Sequence, residues 1–466
     1  MTSFYLGAAR SARSTSSYEI PADHLVTHGV VVGMTGSGKT GLLTVLVEEA
    51  LRNQIPVLMI DVKGDLPNLM LAFPTFDAAA IAPWVEGGGL EGGQVEGGSA
   101  ALDLATRLAA ERQRGLASYG IQEQDLRDFA ARTRMRVITP GSDAGELLHV
   151  LSSLERRSSR WDSDVDGARA SLSAAISLVL RLLGRDPDPA RSRDHVLLSV
   201  LAERRLLAGQ DADIPALIAD VIQPEVESIG ALEVEAFMSK KARKDLAAAL
   251  NNLLAAPSFA NWRRGASLDV QSWMSPQGGR TPATIISVAH LDDEERALVL
   301  GVVLEEILTW VRGLPGSQAL KALIVFDETY GFLPPHPASP PTKRPLVALM
   351  KQARAFGVGV VIATQNPMDL DYRALSNAGF WCLGRLQTDA DRARVIDGLA
   401  NEANVGETTE ELAEMLKHLS PRWFIVRNIH AGDSMLLQPR WAMSFLRGPM
   451  TRREIQRALA DERVAL

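Results

Sequence analysis

Short, mostly apolar runs punctuate the chain, and helical-period stretches fill the spaces between them. Val30–Val32, Pro56–Ile60, Met135–Thr139, Thr284–Ala289 and Leu323–Phe326 show little alternation of polar and apolar positions, which is how strands covered on both faces read. Leu42, Leu43, Leu46, Val47 and Leu51 predict a helix running to Asn53, and Leu298, Val302, Ile307 and Trp310 predict one from Glu294 to Val311. Further strands are expected over Gly357–Thr364, Trp381–Leu386 and Trp423–Asn428, with a closing helix from Thr451. Ahead of Val30 the chain is polar and mixed, with one short strand expected near Tyr18–Ile20. Apolar strands alternating with helices predict an α/β fold, a mostly parallel sheet between helix layers.

From about Ala144 to Trp273 the pattern changes. Leu172, Ile176, Val179 and Leu183, then Leu246, Leu250, Leu253 and Leu254, recur at helical spacing, and strand-like alternation is scarce. An all-helical insertion is expected there, dividing the chain into a first core half (1–143), the insertion (144–280) and a second core half (281–466). Gly87–Gly98 is glycine-rich and reads as a flexible loop. Lys240, Lys241, Arg243 and Lys244 cluster on one insertion helix; such a run is either a solvated face or a nucleic-acid contact.

The strongest chemical signal follows the first apolar run. Gly33-x-x-x-x-Gly38-Lys39-Thr40 is the complete phosphate-binding loop pattern, preceded by a strand and followed by an apolar helix. Glycines let successive backbone N–H groups face one concavity, and the helix that opens at Lys39 adds its positive end. Gly33, Thr35, Gly36, Ser37, Gly38, Lys39, Thr40 and Gly41 are therefore expected to bind a nucleoside triphosphate. Lys39 would reach its β- and γ-phosphates, and the Thr40 hydroxyl would ligate Mg²⁺. Asp327 and Glu328 end the run Leu323–Phe326, the Walker B arrangement: the aspartate holds the metal and the glutamate polarises the attacking water. Gln365, ending the next strand, is placed to sense the γ-phosphate; the plainer reading is a turn that bonds only its own backbone. Arg354 and Arg385 are both candidates for an arginine acting on a neighbouring subunit's nucleotide, or for surface ion pairs. The turn Asp61-Val62-Lys63-Gly64-Asp65 ends the second strand, at the sheet edge where α/β proteins place their sites.

Composition narrows the class. The 466 residues, 46% hydrophobic and 23% charged, suit a globular protein with a large core. The single cysteine, Cys382, excludes an internal disulfide framework and a cysteine-built zinc site, and the eight histidines form no H-x-x-x-H pair. No apolar run reaches membrane-spanning length, so a cytoplasmic location without membrane association is expected. A net charge of −7 speaks mildly against coating DNA on an outer face, and says little about gripping it inside a pore.

Together, GMTGSGKT, DVKGD, LIVFDE and KQARAFGVGVVIATQNP resemble the HerA/FtsK superfamily of ring-forming ATPases, the HerA-like branch most of all and conjugative coupling proteins more distantly. The likeness spans about 25–70 and 280–445, and the helical insertion is similar to one that bacterial HerA-like proteins carry. It implies a RecA-like core in a hexameric homo-oligomeric ring that hydrolyses ATP with Mg²⁺ and translocates along or unwinds double-stranded DNA, often beside a nuclease or other effector partner. Lys39, Thr40, Asp327, Glu328 and Gln365 match the family's site, and Arg354 its trans-acting arginine. The loops Gly331–Pro345, with Lys343 and Arg344, and Asn366–Asn377, with Arg373, are the candidate pore loops. The P-loop begins too early for the N-terminal β-barrel of archaeal HerA, and long bacterial relatives continue past the last helix. A regulatory ring that gates an effector without moving along DNA is the alternative.

Overall fold

The computed structural model describes residues 2–10, 15–85, 98–375, 378–400, 409–431 and 434–464. The glycine-rich loop read at Gly87–Gly98 lies outside them but for its last residue.

Eleven strands form one sheet: β1 (Ser3–Arg10), β2 (Thr15–Pro21), β3 (Gly29–Val32), β4 (Val57–Asp61), β5 (Thr133–Ile138), β6 (Thr281–Ser287), β7 (Ser317–Phe326), β8 (Phe356–Thr364), β9 (Phe380–Leu383), β10 (Phe424–Asn428) and β11 (Met435–Pro439). Their spatial order is β2-β1-β11-β10-β9-β3-β8-β7-β4-β6-β5. From β9 to β5 every pairing is parallel, and from β9 through β10, β11 and β1 to β2 every pairing is antiparallel. The apolar runs became the parallel strands because helices bury both of their faces. Alternate residues of each strand feed two separate cores: Val30, Val32, Leu58, Ile60 and Phe326 one, Val31, Val57, Met59 and Val325 the other.

The second core is closed by α1 (Lys39–Arg52), whose Leu42, Leu43, Leu46, Val47 and Leu51 are fully buried. The first is closed by the helix Asp293–Arg312, which packs against Val165–Leu182. Four insertion helices, Val165–Leu182, Arg193–Leu207, Ile214–Ile222 and Lys240–Ala255, start where Asp164, Ser192, Asp213 and Ser239 side chains accept first-turn N–H groups. Their apolar faces join the same core as the sheet, through Leu172, Leu198, Leu217 and Leu246. Two small two-stranded pairings, Leu148–His149 with Ala266–Ser267 and Ser228–Ile229 with Leu232–Glu233, interrupt the helices of this segment. Within the basic cluster, Arg243 is buried against Glu235 and the Met238 carbonyl, while Lys240, Lys241 and Lys244 are exposed.

The antiparallel wing departs from the sequence reading. β1 and β11 were not foreseen, and the segment before the P-loop is a hairpin docked on the C-terminal strands. Among the described residues, no helix is long and apolar enough to cross a membrane.

Candidate functional site

Parallel strands deliver their following loops to one edge of the sheet, and the predicted chemistry collects there. β3 is fully buried and ends in Gly33, whose N–H donates to Thr364 O at 3.2 Å, while the Met34 N–H donates to Arg385 O at 2.8 Å. The P-loop is thus hung from β8 on one side and from the segment just past β9 on the other. A Cβ on Gly33 would stand 2.6 Å from Ser37 Oγ, and Gly38, the N-cap of α1, has φ of +97°. Other residues would not close this loop. No side chain caps α1, so its first N–H groups are left for a ligand. Lys39 is buried and folds back to donate to the carbonyls of Gly33 and Met34. Burial, then the nearby Lys63, lowers its pKa to about 8, against the opposing pull of Glu328 and Asp327.

β7 brings the two carboxylates to the same edge. Asp327 continues the strand ladder by donating its N–H to Ile60 O at 3.1 Å. Its carboxyl is pushed up to about 7, by burial first and then by the charge of Asp61. Its Oδ2 is buried without a partner among the described residues. Such an orphaned acceptor suits a cation, so Asp327 and the Thr40 hydroxyl, itself half-buried in the first turn of α1, fit Mg²⁺. Glu328 is held at both oxygens. Oε2 meets Lys63 Nζ at 2.8 Å, and Oε1 accepts the N–H groups of Gln365 at 3.2 Å and Tyr330 at 3.3 Å. Gln365 reaches the other way too, its Oε1 accepting from Thr35 Oγ1 at 2.6 Å. It therefore spans the P-loop and Glu328 rather than closing a turn on itself.

The charged turn after β4 explains the lysine. Asp61 is fully buried, accepting the N–H groups of Gly64, Asp65 and Leu66 on one oxygen and the Ser287 hydroxyl on the other. With Gly64 at φ +86°, this cage sets the turn that presents Lys63 to Glu328. Burial pushes the Asp61 carboxyl up to about 6.

The two arginines separate. Arg385 is exposed just past β9, beside its own P-loop. Arg354 is exposed at the opposite end of β8 from Gln365, roughly 30 Å away at the rise of a parallel strand. It makes no ion pair among the described residues. Of the pore-loop cations, Lys343 pairs with Asp371 at 3.2 Å and Arg344 with Glu305 at 2.9 Å. The side chain of Arg373 lies outside the described residues, as do Ser376 and Asn377.

The family model "Helicase HerA-like C-terminal" matches residues 9–80. Among solved structures, VirB4 of Thermoanaerobacter pseudethanolicus superposes with a TM-score of 0.53 at 12% identity, covering 94% of this chain and 95% of its own. The plasmid coupling protein TrwB in complex with ADP and Mg²⁺ gives 0.50 at 16%, covering 93% of this chain and 90% of its own. Over residues 9–80 the chain is thus similar to the HerA-like family, and across nearly its whole length it shares the fold of these two proteins. Among curated proteins none matches it.

Two residues of this edge were not assigned from sequence. Lys63 was visible as part of a charged turn, but nothing local named Glu328 as its partner. Arg422 gave no signal at all: it follows Pro421, adopts φ of +63°, donates its N–H to Ser37 O at 3.0 Å and lies against Gly38.

Proposed function

We propose that the chain is an ATP-hydrolysing motor, assembled as a hexameric ring, that translocates along or unwinds double-stranded DNA. The observation that carries the hydrolytic part is the clasp on Glu328. A carboxylate held by Lys63 and two backbone N–H groups, beside the P-loop lysine, is oriented to polarise a water and take its proton. Lys39 and the bare first turn of α1 would hold the β- and γ-phosphates. Thr40 and Asp327 would hold Mg²⁺, which supplies charge neutralisation across those phosphates. Gln365, bonded to Thr35 and to Glu328, would pass the presence of the γ-phosphate to the catalytic carboxylate. Arg354 would enter the site of the next subunit.

The DNA part of the reading rests on the HerA-like match and on the shared fold. One observation favours the alternative, a regulatory ring that gates a nuclease or other effector: Lys343 and Arg344 are already engaged within the chain. Steady-state ATP turnover with and without duplex DNA separates the two. A motor is stimulated, and the stimulation falls steeply with salt as phosphate contacts are lost. Turnover indifferent to duplex DNA at low salt would reject translocation and favour the gating ring.

A further inference from the structure

β5 is the outermost of the parallel strands and stands five strand spacings from β3, about 24 Å across the sheet. Against its start lies a recess of about 440 Å³, within the range of small-molecule sites. Its walls come from segment 69–74, from the helix Ala78–Val85, from the end of the helix Glu123–Arg132 and from the helix Arg452–Val464. Trp84, Phe129 and Met135 line it and are buried, which makes the walls apolar. Ala79 and Arg457, also lining residues, are exposed, so the recess opens to solvent. Folded chains close most apolar space with their own side chains; here it is left unfilled.

The charge on these walls is of one sign. Arg280 and Arg457 line the recess, and no acidic residue does among the described residues. The Arg457 guanidinium lies over the Trp84 ring, 5.1 Å from the centroid, and donates to Pro83 O at 3.1 Å. Arg280, half-buried just ahead of β6, donates from Nη2 to Ala130 O at 3.2 Å. Neither meets a carboxylate among the described residues. Two guanidinium groups without a counter-charge favour an anion, while apolar walls solvate a polyphosphate poorly. A single acidic group on an apolar body satisfies both conditions. We propose that this recess binds a small apolar monoanion, an acyl or aromatic carboxylate, at a second site remote from the P-loop. The apolar body lies against Trp84, Phe129 and Met135, and the two arginines neutralise the acidic end. The proposal does not depend on the P-loop reading.

The reporter is anilinonaphthalene sulfonate, an aromatic monoanion that fluoresces in apolar sites, titrated onto the full chain. It should saturate at one per chain, and octanoate should displace it at least tenfold better than octanol, which lacks the charge. Arg280→Met and Arg457→Met should each weaken the sulfonate and octanoate about tenfold and leave octanol within about twofold. Ala80→Phe fills the recess from its wall and keeps both arginines; it should abolish binding of the sulfonate. Melting curves show that each variant is folded, and Arg457→Met, at an exposed position, decides if Arg280→Met is not. Unchanged sulfonate binding in folded Ala80→Phe would overturn the proposal. So would an equal loss of octanoate and octanol in Arg457→Met, which would leave an apolar recess indifferent to charge. Lys39→Ala should bind the sulfonate as the parent does; a loss there would place the probe on the P-loop and reject the second site.

Discussion

At the scale of single residues, Lys63 and His28 make predictions of different kinds. Lys63 pairs with Glu328, whose other oxygen is held by two backbone donors, so it is read as a positioning residue. Lys63→Met should therefore lower turnover roughly tenfold or more while the KM for ATP moves by about twofold at most, because a base slightly out of place loses rate before it loses binding. Lys63→Arg, which keeps the charge, should recover part of the rate. A KM that rises in step with the loss would mean Lys63 binds nucleotide. His28 lies just before β3, where its Nδ1 accepts the Val360 N–H at 3.2 Å and burial lowers its pKa to about 4. Unfolded, it titrates near 6.5. Above that value it is neutral in both states and adds no pH dependence. Between about 6.5 and 4 only the unfolded chain takes up the proton, so stability falls as pH falls, by about 3 kcal/mol in all. His28→Asn tolerates the observed φ of +66° and should flatten the loss of melting temperature between pH 7 and 4.5; an unchanged acid limb would acquit His28.

At the scale of elements, what could be read from sequence depended on whether the cause was local. β3, β4, the second half of β7 and β8 are legible because burial on both faces leaves almost only apolar residues there, and α1 because its inward stripe is continuous. β1 was hidden because Gly7 interrupts its pattern at a register shift, and because its partner β11 lies more than four hundred positions away. Gly7 is required by that partner: a Cβ would stand 2.2 Å from Gln438 O. What fastens the antiparallel wing to α1 is equally non-local. Arg440, fully buried past β11, pairs with Glu48 at 2.8 Å and Glu49 at 2.9 Å and donates to Tyr5 O at 3.3 Å. Burial opposes its charge, and the two carboxylates more than offset that, so its pKa is raised. Arg440→Met would leave Glu48 buried with the Met443 and Ser444 N–H groups but no counter-charge, while Glu49 keeps Arg52 at 2.9 Å. The expected cost is about 3–5 kcal/mol in a denaturant titration. A loss under about 1 kcal/mol would show that the wing is held by its strand pairing alone.

At the scale of the whole molecule, β8 has Gln365 at one end and Arg354 at the other. The first is bonded to the P-loop and to Glu328, while the second is exposed roughly a strand's length away. No side-chain rotation brings Arg354 to its own P-loop, since an extended arginine reaches only a fraction of that span. If Arg354 completes a site, the site belongs to another copy of the chain, and each copy must then offer opposite edges to its two neighbours. A head-to-tail interface of that kind closes into a ring when the rotation per subunit permits. Mixing two inactive variants tests this directly. Glu328→Gln should bind ATP and fail to turn it over; Arg354→Ala should fold normally and fail for want of its neighbour's guanidinium, an effect of a thousandfold or more in rate. In a mixed ring, an Arg354→Ala subunit keeps its own Glu328 and can receive Arg354 from an adjacent Glu328→Gln subunit. That junction is complete, so mixing should restore a measurable fraction of parental turnover. If the mixture stays as inactive as either variant while mixed assemblies demonstrably form, Arg354 does not act across the junction, and Arg385, beside the P-loop of its own chain, becomes the arginine to test.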